Sequence, residues 1–314
     1  MAVEAALYDP EHGFYATQGR AGRRGDFITS PEIGPLFGAV VARALDRWWD
    51  ELGRPDPYVV IEAGAGAGTL ARSVAGAAPR CLPALRYHPV DRGDALPADR
   101  PAVVLANELL DNLPFDLAEA RGGAWREVLV DVDTEGRLTE GVGPVAVVGE
   151  EPAVVAATDG ARIPVQRAAA DWLRAMLDRM PDRLLVIDYA DTTASMATRP
   201  WTDWVRTYRG HQRGDHPLAD LGAQDITVEV ALDQLAAVRP PDRAMSQAEF
   251  LTEHGIAELV DEGRRIWAER AHIGDLAALR ARSRIAEAEA LTDPGGLGGF
   301  TVIEWTSVAP PADA

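Results

Sequence analysis

Three glycines at alternate positions, Gly64, Gly66 and Gly68, stand between Glu62 and Thr69 in the stretch Tyr58-Val-Val-Ile-Glu-Ala-Gly-Ala-Gly-Ala-Gly-Thr-Leu70. Glycine reaches positive φ and carries no Cβ, so such a turn lets a ligand lie almost against the backbone. If a helix begins at Thr69, its first N–H groups point back at that ligand. The chemistry on offer is the cradling of a nucleotide-type group. A dinucleotide fingerprint would put glycine where Thr69 stands, so the spacing is not that one. An alternating Gly/Ala run is also what a tight turn looks like in an alanine-rich chain. Further carboxylates follow. Asp91 lies 29 residues after Glu62, where an acid can accept both hydroxyls of a ribose. Asn107, Glu108 and Asp111 form a third polar group.

The elements around these residues are those of an open α/β sheet. Tyr58 to Ile61 is apolar and β-branched, as a buried parallel strand is. Leu85 to Val90 reads as a second strand ending at Asp91, and Ala102 to Ala106 as a third. Ligands of such sheets lie beyond the carboxyl ends of the strands, which brings Asn107 and Glu108 beside the glycine turn if the first and third strands are neighbours. Acidic residues at 108 and 111 also suit a solvated helix N-terminus. Upstream, Ser30 is the expected N-cap of a helix with Pro31 first and Glu32 in its opening turn. The apolar residues Ile33, Phe37, Val40, Val41, Ala44, Leu45 and Trp48 keep helical spacing along it. A loop bearing Asp26 and Thr29 is thus held at a helix start. Farther on, Asp133 to Gly136 is the turn of an inserted hairpin, Pro144 to Val155 is apolar and extended, and Arg183 to Asp188 is another core strand. Gly298 to Trp305 reads as a final edge strand, after helices over 246–290.

The 314 residues are 47% hydrophobic and 25% charged, the balance of an ordinary soluble protein with room for a real core. No apolar run is long enough to span a bilayer and no signal-peptide pattern is present, so no membrane partner is expected and a cytoplasmic location fits. The single cysteine, Cys81, rules out an intramolecular disulfide and a cysteine-cluster metal site, and no metal is expected. A net charge of −18 opposes nucleic-acid binding and suits a cationic substrate or basic partner. Every one of the 31 basic residues is arginine. Without lysine there is no P-loop phosphate lysine, Schiff-base lysine or lysine general base.

Six segments occur here in one order: Leu7-Tyr-Asp-Pro-Glu-His-Gly-Phe-Tyr15, Gly25-Asp-Phe-Ile-Thr-Ser-Pro-Glu-Ile33, the E-x-G-x-G-x-G-T-L turn, Ala106-Asn-Glu-Leu-Leu-Asp-Asn-Leu-Pro114, Val186-Ile-Asp-Tyr189, and Tyr208-Arg-Gly-His211 leading to Gln224-Asp-Ile-Thr227. Over roughly residues 6–232 the chain resembles the MidA-like family, S-adenosylmethionine-dependent methyltransferases related to the mitochondrial complex I assembly methyltransferase. The resemblance implies a class I, Rossmann-like methyltransferase sheet with helices on both faces. It implies an N-terminal cap over 1–54 and a core over 55–314, with insertions at about 115–165 and 235–290. S-adenosylmethionine is the implied cofactor, met by Glu62, Gly64, Gly66, Gly68, Thr69, Leu70, Asp91, Asn107, Asp26 and Thr29. The implied acceptor is an arginine of a partner protein, oriented by Glu108 with Glu32 or Asp111 assisting.

The chain departs from the family in two places. Relatives carry Glu where Asp91 stands and follow it with a helix and a strand, whereas only 15 residues separate Asp91 from Asn107. Relatives also carry a different motif where Glu229-Val-Ala-Leu232 stands here. These departures leave two other readings open. One is a methyltransferase of small-molecule oxygen or nitrogen, with His211 or Glu229 as base. The other is a non-catalytic assembly protein with a vestigial cofactor site.

Overall fold

The computed structural model describes residues 2–17, 29–145, 158–210 and 212–307. Two units divide the chain, and each is built from three separate stretches. One comprises Ile28–Glu108, Arg179–Ile187 and Asp242–Ala314; the other comprises Met1–Phe27, Leu109–Asp178 and Asp188–Pro241.

The first of these is organised on a six-stranded sheet. Its strands are β1 (Tyr58–Ala63), β2 (Leu85–Val90), β3 (Val103–Asn107), β4 (Arg183–Asp188), β5 (Arg243–Ser246) and β6 (Thr301–Thr306), in the order β5-β6-β4-β3-β1-β2. Strands β2, β1, β3 and β4 run parallel, with Glu62 opposite both Pro89 and Leu105, and β5 is antiparallel to β6. All six residues of β1 are buried, the signature of a parallel strand covered on both faces. Alternate residues Tyr58, Val60, Val103, Leu105, Leu185 and Ile187 share one apolar core with the long helix described next.

That helix differs from its expected form. Thr29, not Ser30, is the N-cap, and only the short helix α1 (Ser30–Ile33) follows before the chain restarts as α2 (Pro35–Glu51). Pro35 lacks an N–H and pushes Gly34 out of helical geometry, so the single helix breaks there. The apolar stripe does what its spacing demands: Leu36, Phe37, Val40, Val41, Ala44, Leu45 and Trp48 are all buried. A Cβ on Gly38 would stand 2.3 Å from the Ser73 Cβ of α3 (Thr69–Gly76), so only glycine lets the two helices approach this closely. The final strand also differs. β6 lies between β5 and β4 rather than at the edge, because Arg243–Ser246 pairs outside it.

The other unit holds an antiparallel sheet in which Asp116–Arg121 lies between Ala124–Val132 and Arg162–Val165, with Leu138–Val145 outermost. The expected hairpin is there: Asp133 Oδ1 accepts the Glu135 and Arg137 N–H groups and closes its turn. Of the extended stretch expected over 144–155, only its first two residues fall in a described strand, and 146–157 lie outside the described residues. The core of this unit gathers Leu7, Phe14, Phe115, Met196, Trp204 and Ile226.

Candidate functional site

Gly64, Gly66 and Gly68 have φ of 72°, 52° and 69°, left-handed values that side-chain-bearing residues rarely adopt. Gly64 and Ala65 both donate N–H to Val90 O, which ties the turn to the end of β2. Helix α3 starts directly after Gly68, as the sequence predicts. A Cβ built on Gly66 meets nothing within 4 Å, so the space beside the turn at this residue is open.

Strand order then brings the other polar residues to this end of the sheet. Asp91 follows β2, and its Oδ1 accepts the Gly66 N–H at 3.1 Å. Glu62, one residue before the end of β1, is 5% exposed, and its Oε2 is buried without a hydrogen-bond donor among the described residues. Burial, reinforced by the Asp91 charge and opposed by the Tyr87 hydroxyl, raises its pKa from 4.5 to about 7. Asn107 closes β3, and its Oδ1 likewise lacks a donor. Its amide nitrogen donates to Glu108 Oε1 at 3.0 Å.

Glu108 has φ 51°, a conformation costing roughly 1–2 kcal/mol for a residue with a Cβ. Its backbone N–H bonds Ile187 O, and its Oε1 also accepts the Ser30 N–H at 2.8 Å. Burial pushes this carboxyl up to about 7 against the pull of those two donors. Ser30 is in turn anchored by its hydroxyl to Gln247 Oε1 at 2.9 Å. Gln247 is fully buried and was not singled out by the sequence; the capping box of Ser246 and Glu249 marks its helix but not this contact. Glu32 Oε1 accepts the Thr69 hydroxyl at 2.5 Å, bridging α1 to the start of α3.

The sheet unit therefore unites Glu32, Thr29, Glu62, the glycine turn, Thr69, Asp91, Asn107 and Glu108. Leu70, expected at the cofactor, has its side chain buried in the apolar core beneath α3. Asp111 belongs to the other unit, in the turn Leu110–Asn112, where the Leu110 and Asp111 N–H groups donate to Asp188 Oδ2 at 3.0 and 3.2 Å. Glu229 is no free base: it is buried and paired with Arg199 and Arg206 at 2.7 and 3.0 Å. Asp26 and His211 lie outside the described residues. Asp225, part of a quoted motif but given no role by the sequence, is fully buried and accepts the Tyr15 hydroxyl and the Asn112 amide; burial first, then Asp225, raises the Tyr15 pKa well above 10.

Comparison with known proteins bears on this site. A family model described as a putative S-adenosyl-L-methionine-dependent methyltransferase matches residues 86–246. A Drosophila melanogaster protein arginine methyltransferase, the mitochondrial NDUFAF7 homolog, is 26% identical over 283 residues. That match covers 73% of this chain and 63% of the relative, so the chain spans less than two thirds of that relative's length. The Danio rerio NDUFAF7 protein arginine methyltransferase is 25% identical over 329 residues, covering 81% of this chain and 72% of the relative. The crystal structure of a Burkholderia thailandensis protein bound to S-adenosyl-homocysteine superposes with a TM-score of 0.77 at 26% identity, covering 97% of this chain and 86% of that one. No helix among the described residues is long and apolar enough to cross a membrane.

Proposed function

We propose, for a chain that belongs to the S-adenosyl-L-methionine-dependent methyltransferase family matched above, that its sheet unit binds S-adenosylmethionine and that the methyl acceptor is an arginine of a partner protein. One observation carries the cofactor's place: Glu62 Oε2 and Asn107 Oδ1, two acceptors without donors, lie at the ends of strands flanking the open glycine turn. An α-ammonium group brings the donors that both lack, and its charge favours the ionised form of Glu62. Asp91, now bonded to Gly66, can turn its oxygens to two ribose hydroxyls.

The cofactor supplies an electrophilic methyl on a sulfonium, and the residues have to hold a nucleophile in line with it. A guanidinium is not deprotonated in water, so the acceptor nitrogen needs orientation and a destination for its proton. Glu108 meets both needs. Its carboxyl is fixed through Ser30 and Asn107, and a group with a pKa near 7 accepts a proton at neutral pH and returns it to solvent. As the N–C bond forms and the C–S bond breaks, S-adenosylhomocysteine leaves and the guanidinium proton passes to Glu108. Glu32, held by Thr69, assists in placing the acceptor. The names of the Drosophila and zebrafish relatives support arginine over a small-molecule acceptor.

Incubation with trideuteromethyl-labelled S-adenosylmethionine in lysate, followed by mass spectrometry, tests the reading. Label on a guanidinium nitrogen of a protein is expected. Label on a small molecule or another side chain would overturn the acceptor assignment.

A further inference from the structure

We propose that the unit built on Asp116–Arg121 carries a docking site of its own, taking a basic, apolar segment of the methyl-acceptor protein. This rests on the protein-acceptor reading above and adds a recognition surface to it. The antiparallel sheet and the strands Val205–Arg209 and Asp225–Val228 enclose a cavity of about 270 Å³, lined by Phe115, Leu117, Val128, Trp201 and Ile226 among others. Such a volume with apolar walls and few polar groups is suited to one or two apolar side chains.

Charge decides what accompanies them. The charged residues lining the cavity are Asp116, Glu127 and Glu140, all carboxylates. Asp116 is paired with Arg167 and Glu140 with Arg162, but Glu127 is half-buried and has no ion pair among the described residues. A carboxylate beside an apolar cavity, in a chain of net charge −18, favours a cation next to the seated side chain and repels an acidic segment. The apolar surface also continues beyond the cavity. Val130, Val132 and Val142, which the strand register puts on one face of the hairpin, are 36–58% exposed.

The probe is a fluorescein-labelled, amidated hexapeptide of two glycines, one leucine, one phenylalanine and two arginines, with a control in which glutamate replaces both arginines. Fluorescence anisotropy should show saturable binding of the basic peptide alone. Val128→Trp, which fills the cavity, and Glu127→Arg, which changes only a half-buried surface charge, should each weaken it at least tenfold. S-adenosylhomocysteine affinity should stay within twofold in both variants, and an unchanged thermal unfolding profile and circular dichroism report that the altered unit is folded. Equal binding of the two peptides, no binding by the unaltered protein, or wild-type binding by Glu127→Arg would overturn the proposal. So would a tenfold gain in peptide affinity on deleting residues 146–157, since the cavity would then belong to the chain's own segment. If the basic peptide binds as described while the lysate label falls off arginine, the docking site stands and the arginine assignment fails.

Discussion

Replacing Glu108 by glutamine removes a desolvated charge and keeps the shape, so its consequence for stability can be worked out from the site. The Gln carbonyl oxygen can still accept from Ser30 N–H and the Asn107 amide, which both meet Oε1 in the native residue. Burial raises the Glu108 pKa from 4.5 to about 7. An acid whose folded pKa lies above its unfolded value stabilises the fold fully below the unfolded value and loses that contribution as pH rises through the folded one. For this rise the loss amounts to about 3 kcal/mol, at 1.36 kcal/mol per pH unit. Glu108→Gln should therefore match the native protein in stability near pH 4.5 and exceed it by about 3 kcal/mol at pH 8, the gap opening between those limits. Urea unfolding of both proteins across that range measures the difference, and other titrating groups cancel in it. The same variant should lose on the order of a hundredfold in kcat, as a positioned acid–base group does. A stability difference that is independent of pH, or smaller than about 1 kcal/mol at pH 8, would refute the buried-carboxyl account.

Other perturbations separate binding, chemistry and structure. Asp91→Ala removes a charged acceptor worth about 1.5–3 kcal/mol and should weaken S-adenosylhomocysteine roughly ten- to a hundredfold by calorimetry. An effect under about twofold would mean another residue holds the ribose. Glu32→Gln should leave that affinity nearly intact while lowering kcat and kcat/KM together, and a wild-type single-turnover rate would remove Glu32 from the mechanism. Glu229→Gln removes the charge that Arg199 and Arg206 share, though Arg199 keeps Asp191 and Arg206 keeps the Asp203 carbonyl, and should cost roughly 0.5–1.5 kcal/mol of stability without changing cofactor affinity; a changed affinity with unaltered stability would show that Glu229 serves the site.

What the sequence made legible was local chemistry. Alternating glycines announce a left-handed turn whatever surrounds them, and the stripe from Leu36 to Trp48 announces a helix face; both are present. The Rossmann-like sheet implied by the ordered motifs is present as well, with four adjacent parallel strands. Long-range pairing was not legible. β6 looks like an edge strand because nothing follows it, yet Arg243–Ser246, far upstream, pairs outside it. The turn at Asp111 is held by Asp188, 77 residues downstream, a bond that no local pattern announces. The breadth of the Glu108 support was hidden for the same reason: Ser30 and Gln247 come from opposite ends of the chain. Glu229 appeared available because no periodic signal reveals that two arginines converge on it.

Titration of S-adenosylhomocysteine into the protein, compared with Gly66→Val, tests the central claim most directly. The Gly66 Cβ position faces open space, so the valine side chain would intrude on the place proposed for the ligand. One site per chain in the native protein is predicted, with binding lost in a variant whose circular dichroism is unchanged. No binding by the native protein, or native affinity in the folded variant, would contradict it.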